Sequence, residues 1–507
     1  MKALKFIAIA GFVAIMSVSC QEKQPIEGGG NSQAPAELLS FGFYLEDNAE
    51  LIDKDYVVSS ISEETVIRIP DGGSGKTLIA RLEVGENDEA VVNGESPVDG
   101  KISVDATYPI DIVVTDSESG LSTAYTIKVG KILGVELTNA TVYVETGTTM
   151  SDEIDMRINP VDGLPYISYL RKYGEEKDQG SVVKWNGTSF ESVGKLGYTS
   201  NSADDAAVYI PMLSFDNNGN IYTACRDLKN EDKELSIYAY SGAWSKLGIV
   251  DNPITILFEP CIFVNPQTNY PVVTYTQNKK PRIMLWSSFD GSAMSSAVPM
   301  TDVPAMDGDT GMHARDRYVV IDNAVYLLSA FNSAGYYLYK YENNTWSTII
   351  SAFSGANSHY GCISLKADGA GNLYAMLADN SAGGDYMVQL YKIDIEAKTM
   401  TPVAGPILSV TASRTAYFDF AINPVDGQIV ALYIGYTTTL DDHGIYFGYI
   451  EKSTGQWSDF TKIGSYVAND YYPSINYTPD GKGYAAVSTE EGLAFFTIQT
   501  EEDVLPE

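Results

Sequence analysis

Seven times between residues 159 and 484 a polar turn runs straight into a strand bearing Tyr or Val, and few architectures accommodate such a rhythm. The turns are Asn159-Pro160-Val161-Asp162-Gly163 before Tyr166, Asp216-Asn217-Asn218-Gly219-Asn220 before Tyr222, and Asn265-Pro266-Gln267-Thr268-Asn269 before Val272. They continue with Asp322-Asn323 before Tyr326, Asp368-Gly369-Ala370-Gly371-Asn372 before Tyr374, Asn423-Pro424-Val425-Asp426-Gly427 before Val430, and Asp480-Gly481-Lys482-Gly483 before Tyr484. Successive anchors lie 56, 50, 54, 48, 56 and 54 residues apart, the length of a four-stranded propeller blade. One unit reads as strands Val208 to Phe215, Asn220 to Cys225, Leu235 to Tyr240 and Ala243 to Leu247. The last unit stops after three strands near Gln499, so the stretch Val135 to Val144 is predicted to supply the fourth and to remove an open edge.

Upstream of Lys131 the period changes to strict alternation. Leu78/Ala80/Leu82/Val84, Ile110/Ile112/Val114 and Tyr125/Ile127/Val129 each place apolar side chains on one face, with Gly- and Asp-rich turns between, as in a small sandwich. Gly72-Gly73-Ser74-Gly75-Lys76-Thr77 ends like a phosphate-binding loop, but Pro70 stands where its first Gly belongs and no helix pattern follows. It reads as a hairpin turn.

The N-terminus carries an address. Lys2 and Lys5 precede an apolar run from Phe6 to Met16, and Ser17-Val18-Ser19 leads into Cys20. That is a signal peptide over 1–19. The small residues before Cys20 resemble the lipobox of bacterial lipoproteins, which implies that Cys20 is lipid-modified and becomes the first mature residue. Residues 20–37, with Gly28-Gly29-Gly30 and no bulky apolar content to bury, form a flexible tether.

The layout of 38–131, opening with Phe41-Gly42-Phe43 and closing with Ala124-Tyr125-Thr126-Ile127-Lys128-Val129, resembles the immunoglobulin-like modules of Bacteroidota surface lipoproteins. That resemblance implies a spacer and an outer-membrane protein facing the cell exterior. The Asp216-Asn-Asn-Gly-Asn-Ile-Tyr turn resembles NHL and related bacterial propellers, and the Trp-bearing outer strands resemble kelch-like and sialidase-like ones. The Asp-box of sialidases, Ser-x-Asp-x-Gly-x-x-Thr-Trp, is absent from every unit, so no sialidase activity is implied. The expected fold is all-β: an immunoglobulin-like sandwich over 38–131 followed by a seven-bladed propeller over 132–507.

Charge narrows the partners. With 33 Lys+Arg against 66 Asp+Glu the net charge is -33, which excludes nucleic-acid binding through a basic field and favours neutral or metal-bridged ligands. Membrane contact is expected through the lipid alone.

Short turns join the first two and the last two strands of each unit, so the longer loops should share one face, where binding groups tend to lie. That face collects Arg171, Arg226, Asp204, Asp205, the Asp302 to Asp316 loop with His313 and Arg315, and His359, Arg414 and Asp441-Asp442-His443. When the innermost strands are aligned on Met156, Leu213, Ile262, Val319, Ile363, Phe420 and Ile475, the residue three earlier is Glu153, Ile210, Glu259, Asp316, Tyr360, Tyr417 and Tyr472. Six of these can hydrogen-bond, and a ring of carboxylates and phenols suits sugar hydroxyls. The same residues also read as inter-blade packing and ordinary loop solvation. The five Trp (185, 244, 286, 346, 457) sit at related outer-strand positions and read as inter-blade packing.

Three uses of such a face stand side by side. Binding of a glycan or another extracellular ligand without chemistry leads. A lyase or glycoside hydrolase using carboxylates such as Glu153/Glu259 or Glu259/Asp316, or His359-Tyr360 and His313, is the first alternative, and a scaffold in a multi-protein surface complex is the second. No cofactor is expected; Asp216-x-Asn218-x-Asn220 and Asp307-x-Asp309 have the oxygen spacing of calcium loops but lack the distal Glu. Cys225, Cys261 and Cys362 lie in apolar strands and read as buried thiols, with a Cys225 to Cys261 bridge left open.

Overall fold

The computed structural model describes residues 36–52, 55–59, 61–69, 75–131, 134–145, 148–173, 179–199, 208–229, 232–250, 260–276, 283–300, 317–331, 335–353, 363–379, 386–410, 417–435, 444–452, 454–464 and 473–500. Strands dominate, and the helix among these residues is a single turn, Leu45–Asn48. The chain divides into two compact units, Met1–Ile132 with Asp503–Glu507, and Leu133–Glu502.

The first unit holds two four-stranded sheets. One runs Tyr56–Val58, Leu38–Phe43, Thr77–Val84, Lys101–Asp105, and the other Glu64–Ile69, Ser122–Lys131, Ile110–Asp116, Asp88–Val92. Alternation decides the inner faces: Leu78, Ala80 and Leu82 from one sheet and Ile110, Ile112, Val114, Tyr125, Ile127 and Val129 from the other share one core. Glu64–Ile69 pairs parallel to Ser122–Lys131, the single parallel ladder among the described strands. Gly75, from the loop that mimics a phosphate site, lies in a turn at φ +70°; residues 70–74 are outside the described set.

The second unit is a succession of seven antiparallel sheets, each with one of the repeated turns between its first and second strands. Their first strands are Thr148–Ile158, Val208–Phe215, Cys261–Val264, Arg317–Ile321, Ile363–Ala367, Tyr417–Ile422 and Ser474–Tyr477. The second sheet, Val208–Phe215, Ile221–Lys229, Asp232–Tyr240 and Trp244–Ile249, matches the sequence reading strand for strand. Sheet five gains a fifth strand, Ile407–Val410, against Tyr386–Asp394. Sheet seven has three strands of its own and takes Val135–Tyr143 as its fourth, antiparallel to Gly492–Thr500.

Burial grades across each sheet. In sheet four the second strand, Ala324–Phe331, is buried at every residue, the first is partly open and the outermost, Thr345–Phe353, alternates. A strand covered on both faces tolerates only a near-continuous apolar run, and AVYLLSAF is one. The Trp residues knit neighbouring sheets. Trp185 of sheet one packs, tilted, 5.1 Å from Phe495 of sheet seven, Trp346 of sheet four lies 5.9 Å from Phe263 of sheet three, and Trp244 of sheet two donates Nε1–H to the Val193 carbonyl of sheet one at 2.7 Å.

The repeated turns hold themselves and their neighbours. Asp216 accepts from the Asn218 and Asn220 amides at 2.9 and 2.8 Å, and Asp368 does the same for Ala370 and Asn372. Gly219 at φ +79° lets its backbone approach the next turn back, where Asn159 Nδ2 donates to the Gly219 carbonyl at 3.2 Å. The Asp216 carboxylate is thus an Asx cap whose oxygens already face donors. Cys225 and Cys261 are buried thiols with no disulfide between them.

Candidate functional site: the cavity between the first strands

A cavity of about 480 Å³ opens where the first strands converge. Six of the seven contribute to its wall, sheet three being the exception, and it extends from mid-strand to Pro160 in the first repeated turn. It therefore opens toward the short-turn ends of these strands.

Charge is concentrated here by the sequence. The seven first strands contain three basic residues, Arg157, Arg317 and Lys366, and all three line the cavity. Two acids answer them. Asp155, 1% exposed, accepts Arg157 Nε–H on Oδ2 at 3.2 Å and has Arg317 Nη1 3.6 Å from Oδ1. Asp419, also 1% exposed, faces Lys366 Nζ at 3.4 Å and accepts from the Ser364 hydroxyl and the Phe420 amide.

These acids are also staples. Asp155 Oδ2 accepts the Leu213 N–H of sheet two at 2.9 Å, and Asp419 Oδ2 the Ile475 N–H of sheet seven at 3.0 Å. Ser474 completes the series: its Oγ accepts the Met156 N–H of sheet one at 3.4 Å and donates to the Met156 carbonyl at 3.3 Å. Each gripping residue directly precedes the anchor of its own strand, and each grips the anchor of the next sheet. Asn476 Nδ2 adds a bond to the Met156 carbonyl at 2.8 Å, so the last sheet is tied to the first.

Four further contacts cross between non-adjacent sheets. The Arg157 guanidinium of sheet one lies over the Tyr318 ring of sheet four, 4.5 Å from its centroid, and the Tyr318 hydroxyl pairs with Ser214 Oγ of sheet two at 2.9 Å. Lys366 Nζ of sheet five donates to Asn476 Oδ1 at 2.8 Å and the Ile475 carbonyl at 3.1 Å in sheet seven.

Burial dominates the acid–base behaviour. It lowers the Lys366 pKa against the pull of Asp419, and the Arg317 and Arg157 charges lower it further. Burial raises the Tyr318 phenol, with Arg157 and Ser214 opposing. For Arg157, burial is the largest influence and opposes the charge, but the Asp155 carboxylate together with Tyr318 and Cys261 outweighs it, and the guanidinium is raised.

Of the ring expected from the sequence, Glu259, Asp316, Tyr360 and Tyr472, together with His313, Arg315, His359 and the lipid-bearing Cys20, lie outside the described residues. Glu153 falls in the first strand of sheet one, Thr148–Ile158. Tyr417 is 8% exposed and packs in the apolar core shared by sheets five, six and seven, away from the cavity wall. Arg171 is not displayed on a loop face: it is 4% exposed and ion-paired with Glu145, which also accepts the Tyr169 hydroxyl at 3.0 Å. The cavity residues were missed because alignment on the anchors singled out positions three residues upstream. The signal lay beside the anchors, as charges flanking or interrupting apolar positions: Asp155-Met156-Arg157 and Phe418-Asp419-Phe420.

No family model matches the chain, and no curated protein matches it. Among solved structures, a leech intramolecular trans-sialidase is similar at 10% identity and a TM-score of 0.36, over 93% of this chain and 92% of that one. A mutant of NanB sialidase from Streptococcus pneumoniae is similar at 9% identity and a TM-score of 0.40, over 93% of each chain. A structural-genomics protein of unknown function from Bacteroides thetaiotaomicron is similar at 11% identity and a TM-score of 0.37, over 92% of this chain and 99% of that one. Likeness at this level fixes neither fold nor activity.

Proposed function

We propose that the second unit is a closed seven-bladed β-propeller that binds an extracellular glycan at its hub without transforming it. In this reading the first unit is an immunoglobulin-like spacer, and Cys20 carries the lipid that anchors the protein in the outer membrane with its domains outside the cell. The observation that carries the binding reading is the cavity of about 480 Å³ walled by first strands, with Arg, Lys, Asn, Ser and Tyr groups converging on it. Its volume falls in the ordinary ligand-site range, roughly 300–1,000 Å³. Closure is supported by the Val135–Tyr143 strand and by the grip of Ser474 and Asn476 on Met156.

Binding is favoured over catalysis by the state of the carboxylate in the wall. Asp155 is pinned by Arg157, Arg317 and the Leu213 amide, an arrangement that fixes charge rather than one that passes protons to and fro. The test is to incubate the protein with neutral and acidic polysaccharides, reading retention in affinity gels and release of reducing or unsaturated ends. Retention without product is expected. Product formation would overturn the binding reading in favour of an enzyme, with Glu259→Gln and His359→Ala as the first variants to assay. Neither retention nor product would leave the scaffold reading in its place. The anchor is tested by labelling with a fatty-acid analogue, which Cys20→Ala should abolish.

A further inference from the structure

We propose that the first unit is a force-bearing link, built so that tension between the N-terminal tether and the second unit runs along its strands; the source of that tension rests on the lipid-anchor reading above. A protein held at one end by a lipid and at the other by its ligand carries drag through whatever lies between. How well a small sandwich does so depends on where the chain enters and leaves it.

Here the chain enters at one end and leaves at the other. Leu38 pairs with Val84, the Gly85 N–H donates to the Glu37 carbonyl at 3.2 Å, and the Glu37 N–H donates to Asp88 Oδ2 at 2.9 Å. Asp88 pairs with Asp116 and Thr115 with Ser122, so the entry lies level with the start of the unit's last strand, Ser122–Lys131. The exit, Lys131, is the far end of that ten-residue strand, about 30 Å away at the usual rise per residue. Neither the entry strand nor the exit strand is a sheet edge. Leu38–Phe43 is bonded on both sides, to Tyr56–Val58 and Thr77–Val84, and Ser122–Lys131 to Glu64–Ile69 and Ile110–Asp116. Tension between Ala36 and Lys131 therefore acts along the strands, and the ladder bonds share it and break together rather than one after another. Tyr125 ties the two strands: its hydroxyl accepts the Leu38 N–H at 3.3 Å and donates to the Ala36 carbonyl at 3.5 Å. Ala36 itself is buried.

The second unit has the opposite arrangement. Its first strand, Val135–Tyr143, and its last, Gly492–Thr500, are antiparallel neighbours with Val135 opposite Thr500. Pulled by its two ends, that ladder is loaded at one pair, and its bonds part singly from there.

The test is to stretch single full-length chains between handles at the N- and C-termini. The units are told apart by the chain each releases, about 30 nm for residues 36–131 and about 125 nm for 133–500. The second unit is expected to open first, and the first unit to hold to at least about twice that force, because forced unfolding follows the barrier along the pulled direction. Moving the second handle to Glu118→Cys, in the exposed turn after Asp116 beside the entry, turns the load across the strands, and the first unit should then yield at about half its end-to-end force. At a clamped end-to-end force Tyr125→Phe should shorten its lifetime about fivefold, the worth of one ordinary hydrogen bond; an unchanged lifetime would overturn the tie between the two strands. A first unit that yields before the second, or at the same force in both handle geometries, would overturn the proposal, and the order of opening needs no variant. Fatty-acid label retained by Cys20→Ala, with the expected forces, would overturn the anchor reading alone and leave the link standing.

Discussion

Asp155 and Asp419 occupy the same place in their strands and perform the same staple, yet their surroundings differ. Around Asp419 every oxygen is committed: Oδ1 to Ser364 and the Phe420 amide, Oδ2 to Lys366 and the Ile475 amide. Around Asp155 two arginines gather at 3.2 and 3.6 Å, and one of them, Arg157, keeps both Nη groups open to the cavity. One pole of the hub is a closed network that holds sheets five, six and seven together. The other shares the holding role but has donor capacity left over. The lesson is that a repeated structural device need not mean a repeated function; what distinguishes the poles is how many donors remain after the staple is made.

The same substitution at both poles should separate them. Asp419→Asn must turn an amide NH₂ toward two donors whichever way it is placed, and it leaves Lys366 without a counter-charge. A loss of about 3–5 kcal/mol is expected, the usual cost of breaking a buried pair. Asp155→Asn can keep its oxygen on the Leu213 amide and Arg157 while the cavity solvates the exposed arginine edge, so about 1–3 kcal/mol is expected. Urea unfolding of the two variants measures the gap. Equal losses would mean that the cavity pole is as closed as the other and would weaken the case for a ligand there.

A smaller effect tests the seam. Ser474→Ala removes the hydroxyl that grips both the N–H and the carbonyl of Met156 across the last and first sheets, while Asn476 retains its bond. The loss should be about 1 kcal/mol, that of one ordinary hydrogen bond. Hydrogen exchange at Met156 should speed up by more than exchange at Leu213, whose partner Asp155 is untouched. Uniform acceleration at both would show that the staples act as one unit rather than sheet by sheet.

How much of this was legible in the sequence follows from what is local. The repeated turns are local chemistry, Asx caps and positive-φ glycines, so the seven sheets and their first strands could be read directly. The closing strand was legible by deficit: a three-stranded last unit needs a fourth, and Val135 to Val144 was the unassigned stretch, of which Val135–Tyr143 forms the strand. The alternation in the first unit gave its inner faces, but the parallel pairing of Glu64–Ile69 with Ser122–Lys131 carries no local signature. The hub was not legible because its residues, from Asp155 to Asn476, meet only once the strands converge. Arg171 was misplaced for a related reason. Its partner Glu145 follows the closing strand, so the pair exists only when that strand has docked.

The subtlest difference between the poles should appear as pH dependence. In the folded chain burial, with Arg317 and Arg157 nearby, lowers the Lys366 pKa below its ordinary 10.5. Between the folded value and 10.5 the unfolded chain therefore binds more protons than the folded one, and the contribution of this group to stability rises with pH. Buried tyrosines work the other way: Tyr166, Tyr222 and Tyr433 are raised by burial and lose stability as pH climbs past the ordinary phenol value. Wild-type stability should accordingly fall on the alkaline side, but Lys366→Gln, lacking the compensating lysine, should fall more steeply. Urea midpoints from pH 8 to 10.5 would show the gap between the two chains changing steadily in favour of the wild type. Arg157→Gln removes one of the charges that press on Lys366, so in that background the change should shrink. A gap that stays level with pH would mean that Lys366 titrates normally and that its pole is not crowded by the cations of the other.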